Sequence, residues 1–227
     1  LFRSKKPFVG ATMAISSHLT LLTGIAGINV YIVRILKLPF DISLHFYFFF
    51  FVGVIITGIL KMFFYSSVGA GFLGTLGSSA LLYVSIHWII LGNTINIPLL
   101  YIQGLLLGFG ASMTLVSGSM ATLLDGDLKE AAQRSQTMHT IRNFSAAMLI
   151  PIIAYTIKNH IQKGTQSIYA ENITDKMIYL KKLQDVAIDA DHQIFLLMII
   201  FNMVMFVSSI IQMILGKGRR ITPPRES

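Results

Sequence analysis

The groups in this chain that could exchange protons, hold a metal or attack a substrate are six histidines and ten carboxylates, with no cysteine at all. The missing cysteines exclude a thiolate nucleophile, a disulfide framework and a thiolate metal site. The histidines are scattered and never pair at a metal-ligand spacing on one helix. No cofactor and no covalent chemistry is expected, so no residue is read as catalytic and the protein is read as no enzyme. What remains is the chemistry of hydroxyls, amides and imidazoles that bind solutes, water and protons. Thr12, Ser16, Thr20, Thr23, Gly27 and Tyr31 fall on one side of a helix at about 100° per residue. His18 and Asn29 share a second face with Leu22 and Ile25. Tyr101, Gly108, Ser112 and Ser119 form a weaker face further on, and Ser135, Gln136, His139, Arg142, Asn143 and Ala146 form another. His18 and His139 are candidates for a proton relay because imidazole titrates near neutral pH. Arg142, Asn143 and Asn29 complete a candidate gating set.

The segments that must position these groups are apolar. The chain has 227 residues, of which 54% are hydrophobic and 12% charged, and its mean hydropathy is +0.69. Soluble domains carry about 25% charged residues. Too few polar residues remain to cover the outside of a soluble globule, and a bilayer removes the contradiction. Six stretches approach the roughly 20 apolar residues a membrane-crossing helix needs: about 8–33, 42–65, 69–91, 97–124, 130–157 and 193–215. Breakers or charges bound them at Lys37-Leu38-Pro39, Ser66-Ser67, Gly92-Asn93, Asp125-Gly126-Asp127, Lys158-Asn159 and Gly216-Lys217. The expected fold is an all-α membrane protein, one bundle of six transmembrane helices. No Asp or Glu lies in the apolar part of any span.

The formal charge of +8 is read here through its distribution, not as a sign of nucleic acid, and no nucleic-acid partner is expected. Six crossings put both termini on one side. That side carries Arg3, Lys5, Lys6, Lys61, Lys129, Arg134, Lys217, Arg219, Arg220 and Arg225. The opposite side has Arg34 and Lys37 in a short loop, and a long segment, 159–191, that mixes lysines with five acids. The positive-inside rule places both termini and the tail at 216–227 in the cytoplasm of a plasma (inner) membrane. Segment 159–191 is then an extracytoplasmic loop, in which Ile173, Met177, Leu180 and Ala187 predict a short surface helix. The sequon Asn172-Ile173-Thr174 matters only in a glycosylating compartment.

Inside a bilayer a full-length hydroxyl row must border protein or water. The row from Thr12 to Tyr31 is preferred as the lining of an aqueous cavity, with the His18–Asn29 face packed on a neighbour. The alternative is that the hydroxyls bond their own helix. Gly69, Gly71, Gly74 and Gly77, and the pair Gly104 and Gly108 with Gly110 and Gly118, predict close helix–helix packing. The alternative is sliding or flexing during transport.

The opening Leu1-Phe2-Arg3-Ser4-Lys5-Lys6-Pro7-Phe8 resembles the segment that enters the first helix of the C-terminal half in EmrB/QacA-type antiporters. These are the fourteen-helix drug:proton antiporters of the major facilitator superfamily. The long segment between the last two spans, the basic tail, and the stretch from Gln133 through Ser145 are similar to that family too. Phe144, Ser145 and Ala146 stand where the family carries glycines, and the loop after Lys61 lacks its acid and arginine pair. The resemblance implies a C-terminal half whose N-terminal transmembrane half lies outside this chain, which begins in mid-motif at Leu1. It implies a secondary transporter that exports small lipophilic or drug-like molecules against protons. Ser16, Thr20, Thr23, Tyr31, Tyr101 and Ser112 are then expected in the wall of the substrate cavity. A membrane-embedded lipid-modifying enzyme built on His139 and Arg142, or a non-transporting membrane subunit, are the alternatives.

Overall fold

The computed structural model describes residues 5–92, 94–125, 127–170 and 175–216, and every regular element among them is helical. Helix α1 (Lys5–Asn29) passes into a π-helical turn (Val30–Ile35). It is followed by α2 (Phe40–Trp88), α3 (Ile97–Leu124), a 3-10 turn (Leu128–Glu130), α4 (Ala131–Ala170) and α5 (Lys176–Ile214). Among the described residues five helices are long and apolar enough to cross a membrane: α1 with its π turn, and α2 to α5. Arg3, the sequon at 172–174 and the basic tail beyond Gly216 lie outside the described residues.

As one straight rod α2 would be about 73 Å long, at about 1.5 Å per residue. Instead it doubles back. Gly69 has φ 81° and ψ 169°, a backbone conformation that glycine enters without a Cβ clash. The return brings Trp88 to Phe46, with ring centroids 6.3 Å apart. Two arms, 40–68 and 70–88, therefore run side by side. The expected break at Ser66-Ser67 moves to Gly69 because serines continue a helix and a positive φ does not.

Helix α3 is the centre of the packing, and its glycines meet three different neighbours. A Cβ on Gly104 would lie 2.8 Å from the Phe46 carbonyl, and one on Gly108 would strike the Phe50 carbonyl. On other sides of the helix, Gly110 abuts the Gly77 carbonyl and Gly118 the Gly10 carbonyl, each at 2.6 Å from a built Cβ. Close packing through small residues is what membrane helices use in place of a hydrophobic drive. The ends of α3 fall where expected. Asn96 Oδ1 accepts from the Leu99 amide at 3.2 Å, and Pro98 sits in the first turn.

The segment 159–191 corrects the expectation of a loop. Helix α4 continues to Ala170, and α5 already begins at Lys176, capped by Asp175 Oδ1 on the Met177 amide at 2.8 Å. The two extensions pair as an antiparallel hairpin. Gly164 lies against Val186, and Tyr169 meets Tyr179 at 6.1 Å between ring centroids. Buried Ile168 and Ile188 lie on its inner side.

The bundle has two ends. At one, the Thr122 hydroxyl faces the Pro7 carbonyl at 3.4 Å, Gly71 abuts Met213, and Gly216 lies beside Lys6. The two described ends of the chain are thus together. At the other end lie Tyr31, Leu91, Gly92 and His192.

Candidate functional site

The two polar faces of α1 have opposite fates. Thr20, Thr23 and Tyr31 are completely buried, and Ser16 nearly so. The Thr20 hydroxyl donates to the Ser16 carbonyl at 2.8 Å, and that of Thr23 to the Leu19 and Thr20 carbonyls at 2.8 and 2.9 Å. Gly24 packs on Met198 and Leu107, and Gly27 on Phe195. The row from Ser16 to Tyr31 therefore packs against α3 and α5 inside the bundle. Small hydroxyl residues suit this position because each satisfies its own O–H within its helix and lets the neighbour come close. Tyr31 donates across to the Gly92 carbonyl.

The face carrying Ile15, His18, Leu22, Ile25 and Asn29 is the part-open one, and on the hydroxyl row Thr12 alone is half-exposed. The shorter row, not the longer, reaches the surface of this bundle. Arg142 of α4 comes close enough for its charge to act on His18. Its Nε is buried and has no hydrogen-bond partner among the described residues. Asn29 lies beside Tyr47 of the first arm of α2. Three elements thus converge on this face: α1, α4 and the first arm of α2. His139 and Asn143 are exposed on α4. That helix is the least buried of the five, with Phe144, Met148, Ile152 and Tyr155 on its outside.

Tyr101 and Ser112 of α3 are half-buried elsewhere. Tyr101 stacks on Phe49 at 5.4 Å and faces His45 at 5.8 Å. The Ser112 carbonyl accepts from Lys61 Nζ at 2.7 Å, and Lys61 lines a cleft with Tyr65, Ser66 and Met120. The six residues expected in one wall therefore divide between the bundle interior and the seam of α3 with the first arm of α2. His87 stacks on Tyr83, with centroids 6.1 Å apart.

A set of buried polar side chains escaped the sequence reading. Trp88 Nε1 donates to Gln103 Oε1 at 2.8 Å, and Ser17 bonds both the Ala111 carbonyl and the Thr114 hydroxyl. On α5, Asn202 Nδ2 donates to Ser85 Oγ at 3.4 Å and Gln212 Nε2 to Asp125 Oδ2 at 2.9 Å. Asp191 is buried on that helix too. Asp191, Asn202, Ser209 and Gln212 recur at whole-turn spacings on one side of α5, the periodic signal that could have found them. Two carboxylates placed in loops by hydropathy, Asp125 and Asp191, thus belong to the bundle. Among the described residues no group of His, Asp and Glu is arranged to hold a metal ion. No protein-family model matches this chain, and no curated protein matches it.

Proposed function

We propose that this chain is one bundle of a secondary transporter of the major facilitator type, which exports small lipophilic or drug-like molecules in exchange for protons. It sits as a multi-pass protein in the plasma (inner) membrane with both termini cytoplasmic. A second bundle outside this chain completes the pathway, and the two rock about a site near the midplane.

The observation that carries this reading is the part-open face of α1, where His18 lies within the field of Arg142. Lipid solvates neither group, so such a face borders water or another polar surface. It is flanked by the middle of α4, where Phe144, Met148, Ile150, Ile152 and Tyr155 are exposed. A polar strip between apolar rims suits one wall of a cavity for a lipophilic solute. Asn29 and Tyr47 extend the strip toward the far end of the bundle. Tyr101 and Ser112 pack against the first arm of α2, at Phe49 and Lys61. Lys5, Lys6, Lys129 and Arg134, near the end that joins Lys6 to Gly216, support the cytoplasmic placement of that end.

The test is a flux assay on the whole gene product that contains this chain, in membrane vesicles with an imposed proton gradient and a panel of lipophilic dyes. Dye movement that collapses with an uncoupler is the expected result. No movement of any dye under a verified gradient would overturn the reading.

A further inference from the structure

Asp191 is a carboxylate that the bundle has taken in. Hydropathy ends the last span at Gln193, but α5 runs on past it, and Asp191 is turned inward with Ala190, Ile194 and Phe195. It is 1% exposed, and neither carboxyl oxygen has a hydrogen-bond partner among the described residues. No Lys or Arg among them forms an ion pair with it. A buried carboxylate with neither donor nor cation is strongly disfavoured against its neutral acid.

Its surroundings form a clamp. Tyr31, in the π-helical turn after α1, donates its hydroxyl to the Gly92 carbonyl. His192, the next residue on α5, places Nε2 2.8 Å from the Leu91 carbonyl. Two elements thus hold one turn, 91–92, from opposite flanks. Tyr31 is close enough to feel the Asp191 charge. A cleft of about 380 Å³, lined by His87, Leu91, Gly92, Thr94, Asn96 and Gln103, adjoins the same turn. Gln103 Nε2, also buried, has no partner among the described residues.

The other ionisable groups around the site are few. The second arm of α2 offers His87, on the cleft. On α4 the antiparallel register set by Gly164 and Val186 brings Lys158 and His160 level with Asp191, and Lys158 is exposed.

We propose that Asp191 is a proton-binding site, closed in this conformation by the clamp of Tyr31 and His192 on the 91–92 turn. The carboxyl keeps its proton on oxygen while the clamp is shut. When the turn moves away, water enters from the adjoining cleft, takes the proton, and solvates the carboxylate left behind. The role of this proton as the coupling ion rests on the transporter reading; the proton site itself does not.

Two measurements test the two levels separately. Infrared difference spectra of the wild-type protein against Asp191→Asn, in lipid at neutral pH, should show a protonated-carboxyl stretch that the variant loses. Asp189→Asn, at an exposed neighbour, should keep that band. A helical circular-dichroism spectrum equal to wild type certifies that Asp191→Asn is folded. Absence of the band in wild type, or its survival in folded Asp191→Asn, overturns the site, as does a carboxylate band that shifts with sodium but not with pH. In vesicles, Asp191→Asn should retain dye counterflow and lose proton-driven accumulation. Accumulation at the wild-type level overturns the coupling role. The band without any transport by the wild type leaves the site standing and removes the transporter.

Discussion

The guanidinium of Arg134 donates to the Thr122 carbonyl at 3.0 Å and thereby closes the end of α3 with the first turn of α4. It also bonds the Leu123 carbonyl at 3.0 Å and the Asp127 carbonyl at 2.8 Å, and is almost fully buried. A helix C-terminus leaves carbonyls without partners, and a cation there answers both their hydrogen-bonding need and the helix dipole. Arg134→Ala removes these bonds together and should cost about 2–4 kcal/mol, since hydrogen bonds to a charged group contribute about 1.5–3 kcal/mol each and do not add fully. Arg134→Lys should recover part of this, because an ammonium cannot span several carbonyls as a planar fork does. Thermal or denaturant unfolding of the protein in detergent measures both.

The glycines of α3 should differ sharply from those that face flexible side chains or open space. Gly108→Val drives carbon into the Phe50 carbonyl, where only a backbone shift relieves it. A loss of about 3 kcal/mol or more is expected, at or above the upper end for overpacking. Gly24→Ala meets the Met198 side chain, which can move, and Gly58→Ala meets nothing within 4 Å. Melting temperatures should fall in the order Gly58→Ala, Gly24→Ala, Gly108→Val, the last being lowest.

Trp88 is the only tryptophan, so its emission reports on its own surroundings. Gln103→Leu leaves the indole N–H without its acceptor in a buried site against Phe195 and Phe46. The emission should shift to the blue and stability should drop by about 1–3 kcal/mol, the cost of a buried donor left unsatisfied. Unchanged emission would contradict the bond.

The α4–α5 extension is tested by cross-linking. Gly164→Cys combined with Val186→Cys places thiols on facing residues of two helices in a chain with no other cysteine. Mild oxidation should join them within one chain in high yield. A mobile loop over 159–191 would give slow and partial joining.

The apolar spans were legible because each carries a long run with clear breakers, and 97–124 coincides with α3. The return of α2 at Gly69 was shifted because glycines crowd that region and only the backbone reveals which one has a positive φ. The hairpin over 159–191 was hidden by its charge: lysines and acids coat the outside, while Ile168, Gly164, Val186 and Ile188 make the contact. Asp191 was assigned to that loop for the same reason. A hydropathy window ends where charge begins, although a helix can bury one side of a charged segment. The α1 faces were both seen, but not which of them the bundle buries. A hydroxyl row that bonds its own backbone has the same spacing as one that faces water, and only the neighbours tell them apart.

The central claim is that α1 lies in a membrane-embedded bundle with the His18–Asn29 side toward water and the Thr20–Thr23 side sealed inside. The absence of cysteine makes single-cysteine labelling the direct measurement. His18→Cys, Asn29→Cys, Thr20→Cys and Thr23→Cys are each expressed in membranes and exposed to a membrane-impermeant maleimide in sealed and in opened vesicles. The account predicts labelling of His18→Cys and Asn29→Cys, and none at positions 20 and 23 until the protein is denatured. Labelling at 20 and 23 with protection at 18 and 29 would contradict it.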